Sequence, residues 1–259
     1  VALASAMVFT SVLPAAQGIE SSPVTSGVST QAMTGEELAV LVNPVVQQYT
    51  VDDSAKTWAM TTETRLAVLA TQENVANDRL AEVIQLVNSE FMEKEVVSAN
   101  PFAMIYANEQ DVGPADVLIV LDKENPICED SDSEEAYRIE IGENGVKITA
   151  ASENAVMYAL RTIQNYMVAN DGLPYGTIVD YPDVAERRLH VDCARKYISK
   201  DWFIRQIREM SFLKMNTIQM HFSENLGFRI ECETDPAIVS DEYLTKDEVR
   251  EILEEARKY

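Results

Sequence analysis

Histidine is nearly absent: His190 and His221 are the only two in 259 residues, too few for a multi-histidine zinc centre. Cysteine is also scarce. Cys128, Cys193 and Cys232 lie 65 and 39 residues apart, a spacing that fits no paired-cysteine metal or redox motif and allows at most one disulfide, so buried free thiols are expected. Basic residues are outnumbered, 21 against 43 acidic, for a formal net charge of -22. A surface that negative repels phosphate backbones and anionic lipids, which makes nucleic acid and membrane surfaces poor candidate partners and is compatible with a neutral ligand such as a sugar. No apolar run is long enough to span a bilayer. What remains is a globular balance, 46% hydrophobic and 25% charged, in a chain long enough for one large domain or two ordinary ones. Nothing calls for a metal or a cofactor.

The chain opens on small apolar residues, Val1–Val12, followed by Leu13-Pro-Ala-Ala-Gln-Gly18. This is the apolar core and cleavage region of a secretory signal without its charged start. Residues 1–18 are therefore read as a truncated signal peptide with the true N-terminus upstream, and the mature protein as exported. Residues 19–43, rich in Ser, Thr and Gly, read as a linker.

From 44 to 180 the pattern predicts a small α/β domain with an antiparallel sheet. Thr64–Ala70 reads as a strand, Asn77 as the cap of a helix carrying Leu80, Val83, Ile84 and Val87, and Asp116–Asp122 as a continuous apolar strand. Tyr137–Ile141 and Val146–Ala150 alternate on either side of Gly142–Gly145, a hairpin signature, and Ser152 caps a helix with Val156, Leu160 and Ile163 on one stripe. From 181 onward the order is strand (188–194), helix (200–214), strand (216–222), then a helix opening at Thr245-Lys-Asp-Glu248. That order implies parallel strands, and the helical pattern still runs at Tyr259.

Three segments carry a resemblance. Asp192-Cys-Ala-Arg195-Lys-Tyr197 resembles the first barrel strand of glycoside hydrolase family 20, the β-N-acetylhexosaminidase family. Leu213-Lys-Met-Asn216 resembles the step into its second strand, and His221-Phe-Ser-Glu-Asn-Leu-Gly-Phe-Arg229 that strand's end. The resemblance implies that residues 181–259 hold the first two strand–helix units of a (β/α)₈ TIM barrel, preceded by the small domain at 44–180. It also implies a secreted or cell-surface bacterial enzyme that removes terminal β-linked N-acetylhexosamine from glycans or glycoconjugates.

In such a barrel, reactive residues sit at the C-terminal ends of the strands. Arg195 and Glu224 follow the first and second strands. By the resemblance, Arg195 hydrogen-bonds hydroxyls of the terminal sugar, Glu224 supports that contact, and His221 lies near the pocket floor. A guanidinium presents several donors in a fixed fork, suited to adjacent hydroxyls; from residue types alone, an Arg–Glu ion pair that merely closes the barrel rim is the favoured reading. Asp192 is expected to hold the strand end through buried hydrogen bonds, and His190 to be a satisfied core residue.

The family's usual Asp-Asp after the second strand is here Glu224-Asn225, which lengthens one side chain and removes one charge. Its chemistry is substrate-assisted and retaining: the 2-acetamido oxygen attacks the anomeric carbon, while an Asp-Glu pair orients it and supplies the acid. That pair follows the fourth strand in the family and is expected beyond Tyr259, so no catalytic acid is assigned and residues 1–259 alone are expected to be inactive. Two alternatives stand beside this: a lacto-N-biosidase-like enzyme of the same family that releases a disaccharide, and a non-catalytic carbohydrate-binding module.

Overall fold

The computed structural model describes residues 33–93, 102–169 and 172–259. The segment read as a signal peptide and most of the segment read as linker lie outside them. The end of the linker stretch is ordered. Helix α1 (Gly35–Ala39) begins at a capping box in which the Thr34 hydroxyl accepts the Glu37 amide and the Glu37 carboxylate accepts the Thr34 amide, and it buries Leu38 and Ala39. Composition concealed this because the box and the apolar pair sit directly after a Ser/Thr/Gly run.

The elements that follow are β1 (Gln48–Trp58), β2 (Arg65–Leu69), α2 (Gln72–Val75), α3 (Asp78–Glu93), β3 (Ala103–Ala107), β4 (Val117–Leu121), β5 (Tyr137–Gly142), β6 (Gly145–Ala150), α4 (Glu153–Ala169) and β7 (Leu173–Asp180). The seven strands form one sheet in the order β1-β7-β5-β6-β4-β2-β3. It is mixed, not antiparallel as expected. β1–β7, β5–β6 and β5–β7 run antiparallel, whereas β2–β3, β2–β4 and β4–β6 run parallel. The parallel half follows from connections too long to be hairpins: α3 carries the chain from β2 to β3, and a long loop separates β4 from the β5–β6 hairpin.

Local chemistry fixes the boundaries. Asn77 Oδ1 accepts the Leu80 amide at 2.9 Å and Ser152 Oγ accepts the Ala155 amide at 3.1 Å, starting α3 and α4. At the β5–β6 turn Gly145 has φ +103, and an added Cβ would stand 2.6 Å from the Asp116 carbonyl. Inward-facing Tyr137, Ile139 and Ile141 of β5 and Val146, Ile148 and Ala150 of β6 join α3 and α4 in the main core.

After Asp180 come β8 (Arg188–Asp192), α5 (Lys200–Phe212), β9 (Thr217–His221), a two-residue hairpin β10 (Ser223–Glu224) and β11 (Gly227–Phe228), and α6 (Lys246–Ala256). β8 and β9 pair in parallel, with Asp192 opposite His221. Val191, Cys193, Phe203, Ile207, Leu244 and Ile252 form a second core. Thr245 and Glu248 make the expected capping box at α6.

Charged side chains join this βαβα unit to the sheet layer. Fully buried Arg161 of α4 pairs with Glu90 of α3 and donates to Ser211 Oγ of α5 at 3.2 Å. Arg187 pairs with Glu135 at 2.6 Å. The three cysteines are free thiols, Cys128 and Cys193 buried. Among the described residues no helix is long and apolar enough to cross a membrane.

Candidate functional site

Two parallel strands deliver their following loops to the same side, the side where ligands of parallel sheets bind. On that side the chain places Asp192, Arg195 and Glu224 together. Asp192 ends β8, and its Oδ1 accepts the amides of Ala194 (3.1 Å) and Arg195 (3.2 Å), bending the chain sharply. The turn brings Arg195 back over the same carboxylate, with Nε 3.0 Å from Asp192 Oδ2. From the other strand, Glu224 of β10 reaches Arg195 Nη2 through Oε2 at 3.4 Å.

The side chains are 62% (Arg195), 30% (Asp192) and 32% (Glu224) exposed. One guanidinium is thus held by two carboxylates along its Nε–Nη2 edge while most of the side chain faces solvent. Exposed ion pairs contribute about 0–1 kcal/mol to stability, so folding alone gives little reason for the arrangement. With two carboxylates on the guanidinium, its charge is offset, which suits a neutral, hydroxyl-rich ligand better than an anion.

Arg195 and Glu224 are therefore adjacent, as their positions after consecutive strands suggested. Asp192 departs from expectation: it is half-buried rather than buried, and it grips Arg195 directly as well as shaping the turn. The three-residue spacing of Asp192 and Arg195 was the signal for this. His221 lies on the strand floor, half-buried, its carbonyl accepting the amides of Cys193 (3.0 Å) and Ala194 (3.2 Å).

His190 shares its face of β8 with Asp192. Strand alternation sets it opposite Leu189 and Val191, on an exposed face, with its ring centroid 5.7 Å from that of His221. Asn225 is exposed, and its amide turns toward Glu224 Oε1 at 3.3 Å.

Sequence reasoning assigned no role to Arg229, Gly227 or Ser240, which surround this cluster. Gly227 packs so closely that a Cβ would lie 2.8 Å from the Ala194 carbonyl and 2.9 Å from Ser240 Oγ. Ser240 Oγ accepts the Phe228 amide at 3.1 Å and its own amide donates to the Phe228 carbonyl at 3.0 Å. The Gly-aromatic-Arg segment was visible as a motif, but its contacts are with residues tens of positions away.

A cavity of about 230 Å³ lies elsewhere. Pro44, Tyr158, Tyr181, Arg187 and Lys214 bound it, at the N-terminal ends of β8 and β9. The geometry at the strands' C-terminal ends, and not the cavity, marks the candidate site. No cluster of three or more potential metal ligands occurs among the described residues.

Two family models match the chain: glycosyl hydrolase family 20, domain 2, over residues 34–181, and glycosyl hydrolase family 20, catalytic domain, over residues 186–259. Beta-hexosaminidase B of Pseudoalteromonas piscicida is 32% identical over 95 residues, 36% of this chain and 12% of that protein. Lacto-N-biosidase of Bifidobacterium bifidum is 24% identical over 127 residues, 49% of this chain and 11% of that protein. The solved structure of a GH20 beta-N-acetylhexosaminidase from Streptomyces coelicolor A3(2) superposes with a TM-score of 0.63 at 20% identity, covering 84% of this chain and 44% of that one. That likeness establishes the fold. The matched stretches are a small part of the curated relatives' lengths and less than half of the solved chain.

Proposed function

The chain belongs to glycosyl hydrolase family 20, and from that premise we propose that it carries the sugar-gripping strands of an exported β-N-acetylhexosaminidase. The enzyme removes terminal β-linked N-acetylglucosamine or N-acetylgalactosamine from glycans. β8–α5 and β9–α6 are the first two strand–helix units of a (β/α)₈ barrel, and residues 44–180 are the small domain that precedes it. The apolar Val1–Val12 segment and the small residues after it support export.

The observation that carries this reading is the doubly held, exposed Arg195. Asp192 and Glu224 occupy one edge of the guanidinium and leave other N–H groups for a ligand. Arg195 grips hydroxyls of the terminal sugar, and Glu224 keeps the guanidinium in place and accepts from a neighbouring hydroxyl. The bond-breaking step is substrate-assisted: the acetamido oxygen attacks the anomeric carbon with retention. The Asp-Glu pair that orients the acetamido group and protonates the leaving oxygen belongs to a later strand, outside residues 1–259. These residues bind and orient; they supply no general acid.

The test is Arg195→Ala in the full-length protein, assayed on an aryl N-acetyl-β-glucosaminide and corrected for the folded fraction. Loss of the grip should lower kcat/KM about thirty-fold or more, roughly 2 kcal/mol of transition-state binding. A change under about three-fold, with lowered thermal stability, would make the cluster a rim ion pair. Release of a disaccharide from an aryl lacto-N-bioside in place of monosaccharide release would move the substrate to the lacto-N-biosidase class. Binding of sugars with no turnover of either would make the protein a carbohydrate-binding module.

A further inference from the structure

Arg195 is presented on a loop, and an exposed side chain on a loop keeps its position only if the backbone beneath it is fixed. Carboxylates at 3.0 and 3.4 Å orient the guanidinium, and Asp192 Oδ1 and the His221 carbonyl hold the Ala194 amide, but none of these holds the Ala194 carbonyl, which leads into Arg195. Arg229 does. Its Nε donates to the carbonyl of Ala194, the residue before Arg195, at 3.2 Å, and its Nη1 donates to the carbonyl of Glu242 at 2.7 Å.

The Arg229 backbone makes the remaining ties: its amide donates to the Phe222 carbonyl at 2.9 Å, at the end of β9, and its carbonyl accepts the Leu244 amide at 3.1 Å. One residue therefore joins three segments: the β8 exit, the β9 exit and the strip leading to α6. Both carbonyls are neutral acceptors, so the guanidinium acts here as a two-pronged spacer and not as an ion-pair partner. Gly227 presses on the same Ala194 carbonyl from the hairpin side, so that oxygen is bracketed between a donor and a backbone with no side chain.

We propose that Arg229 is a positioning residue for sugar binding: it fixes the Ala194 peptide and thereby sets where the Arg195 guanidinium meets Glu224 and the substrate. This rests on the reading of Arg195 as the sugar-gripping residue. Arg229 itself touches no substrate. Its removal leaves Asp192, Arg195 and Glu224 in the sequence but loosens the peptide that leads into Arg195, so binding weakens and KM rises while the chemistry on bound substrate slows less.

A double-mutant cycle in the full-length protein tests this, with an aryl N-acetyl-β-glucosaminide as the probe. Arg229→Gln should lower kcat/KM about ten-fold, mostly through KM, because a misplaced binding group is costly even when its chemistry is intact. In an Arg195→Ala background the same change should cost less than about three-fold, since nothing is left to position. Arg229→Lys, whose single ammonium cannot span both carbonyls, should fall between Arg229→Gln and the parent; it carries the same cycle should Arg229→Gln not fold.

A ten-fold loss that persists in both backgrounds would show that Arg229 acts independently of Arg195, and would overturn the proposal. So would a loss under about three-fold in the parent background alongside a thirty-fold loss for Arg195→Ala, which would leave the Arg195 assignment standing. An Arg195→Ala variant that changes kcat/KM less than about three-fold removes the sugar grip itself, and the positioning role with it.

Discussion

Lys214 Nζ lies 2.8 Å from Asp180 Oδ2, and the two side chains are only 7% and 8% exposed. The ammonium also donates to Tyr137 Oη at 2.7 Å. The pair ties the turn before β9 to the end of β7, across the junction between the sheet layer and the βαβα unit. Lys214 sits at φ +56, where glycine is usual, so the side chain there has a reason beyond the turn. Lys214→Met should destabilise the protein by about 3–5 kcal/mol by leaving a buried carboxylate without its cation. Lys214→Gly, which relieves the backbone but deletes the ammonium, should also be less stable than the parent. Urea midpoints of both variants check this; a Lys214→Met protein as stable as the parent would show that the pair contributes nothing.

Acid should act at Asp116. Its carboxylate takes two bonds from Arg65, at 2.5 and 2.9 Å, and the Gly113 amide at 2.7 Å. The Arg65 hydrogen bond, against the opposing effect of burial, holds the carboxyl below its ordinary 3.8. A folded value lowered in this way contributes stability that is complete above 3.8 and is lost as pH falls through the folded value. Asp116→Asn should therefore be about 1–3 kcal/mol less stable than the parent at neutral pH. The gap should narrow only as acid titrates the parent carboxyl below that ordinary value, which urea titrations over a pH series would measure.

Gly227→Ala probes the packing around Ala194. The added methyl would stand 2.8 Å from the Ala194 carbonyl and 2.9 Å from Ser240 Oγ. Ser240 can rotate away, whereas the carbonyl moves only with its peptide, which leads directly to Arg195. In the full-length protein kcat/KM should fall about ten-fold, with a smaller effect on thermal stability. Steady-state kinetics beside a melting curve would separate the two.

The three thiols should react in sequence. Cys193 is buried, and burial pushes its thiol up to about 11. Cys128 is also buried. Cys232 is half-exposed, and a hydrogen bond with Thr234 lowers its thiol below the ordinary range. With an aromatic disulfide reagent at mildly alkaline pH, Cys232 should react first in the native protein, and Cys128 and Cys193 only on unfolding. Peptide mapping of the labelled sites would identify them, and fast labelling of Cys193 in the native state would contradict the packing at the end of β8.

Features set by near neighbours were legible in the chain: the Asn77 and Ser152 caps, the Thr245 box, the hairpin around Gly142–Gly145, and the parallel pairing of β8 with β9. The mixed sheet was not, because nothing local to Val146–Ala150 says that it lies beside Val117–Leu121. One signal was present and unused: Val117-Leu-Ile-Val-Leu121 has no polar alternation, as suits a parallel strand covered on both faces. At the site, position after consecutive strands was enough to pair Arg195 with Glu224. It could not reveal that Arg229 reaches back 35 residues to Ala194, since that depends on how loops fold over strand ends.

The place of β1 in the sheet has a consequence for synthesis on the ribosome. β1 is an edge strand whose one neighbour, β7, begins at Leu173, about 115 residues after β1 ends at Trp58. At roughly 5–20 residues per second, β1 emerges about 6–23 seconds before any of β7 exists. Throughout that interval its amides and carbonyls are open to another nascent chain. Asp52, Asp53 and Lys56 lie within it, and charge on an unpaired strand discourages association with a neighbour.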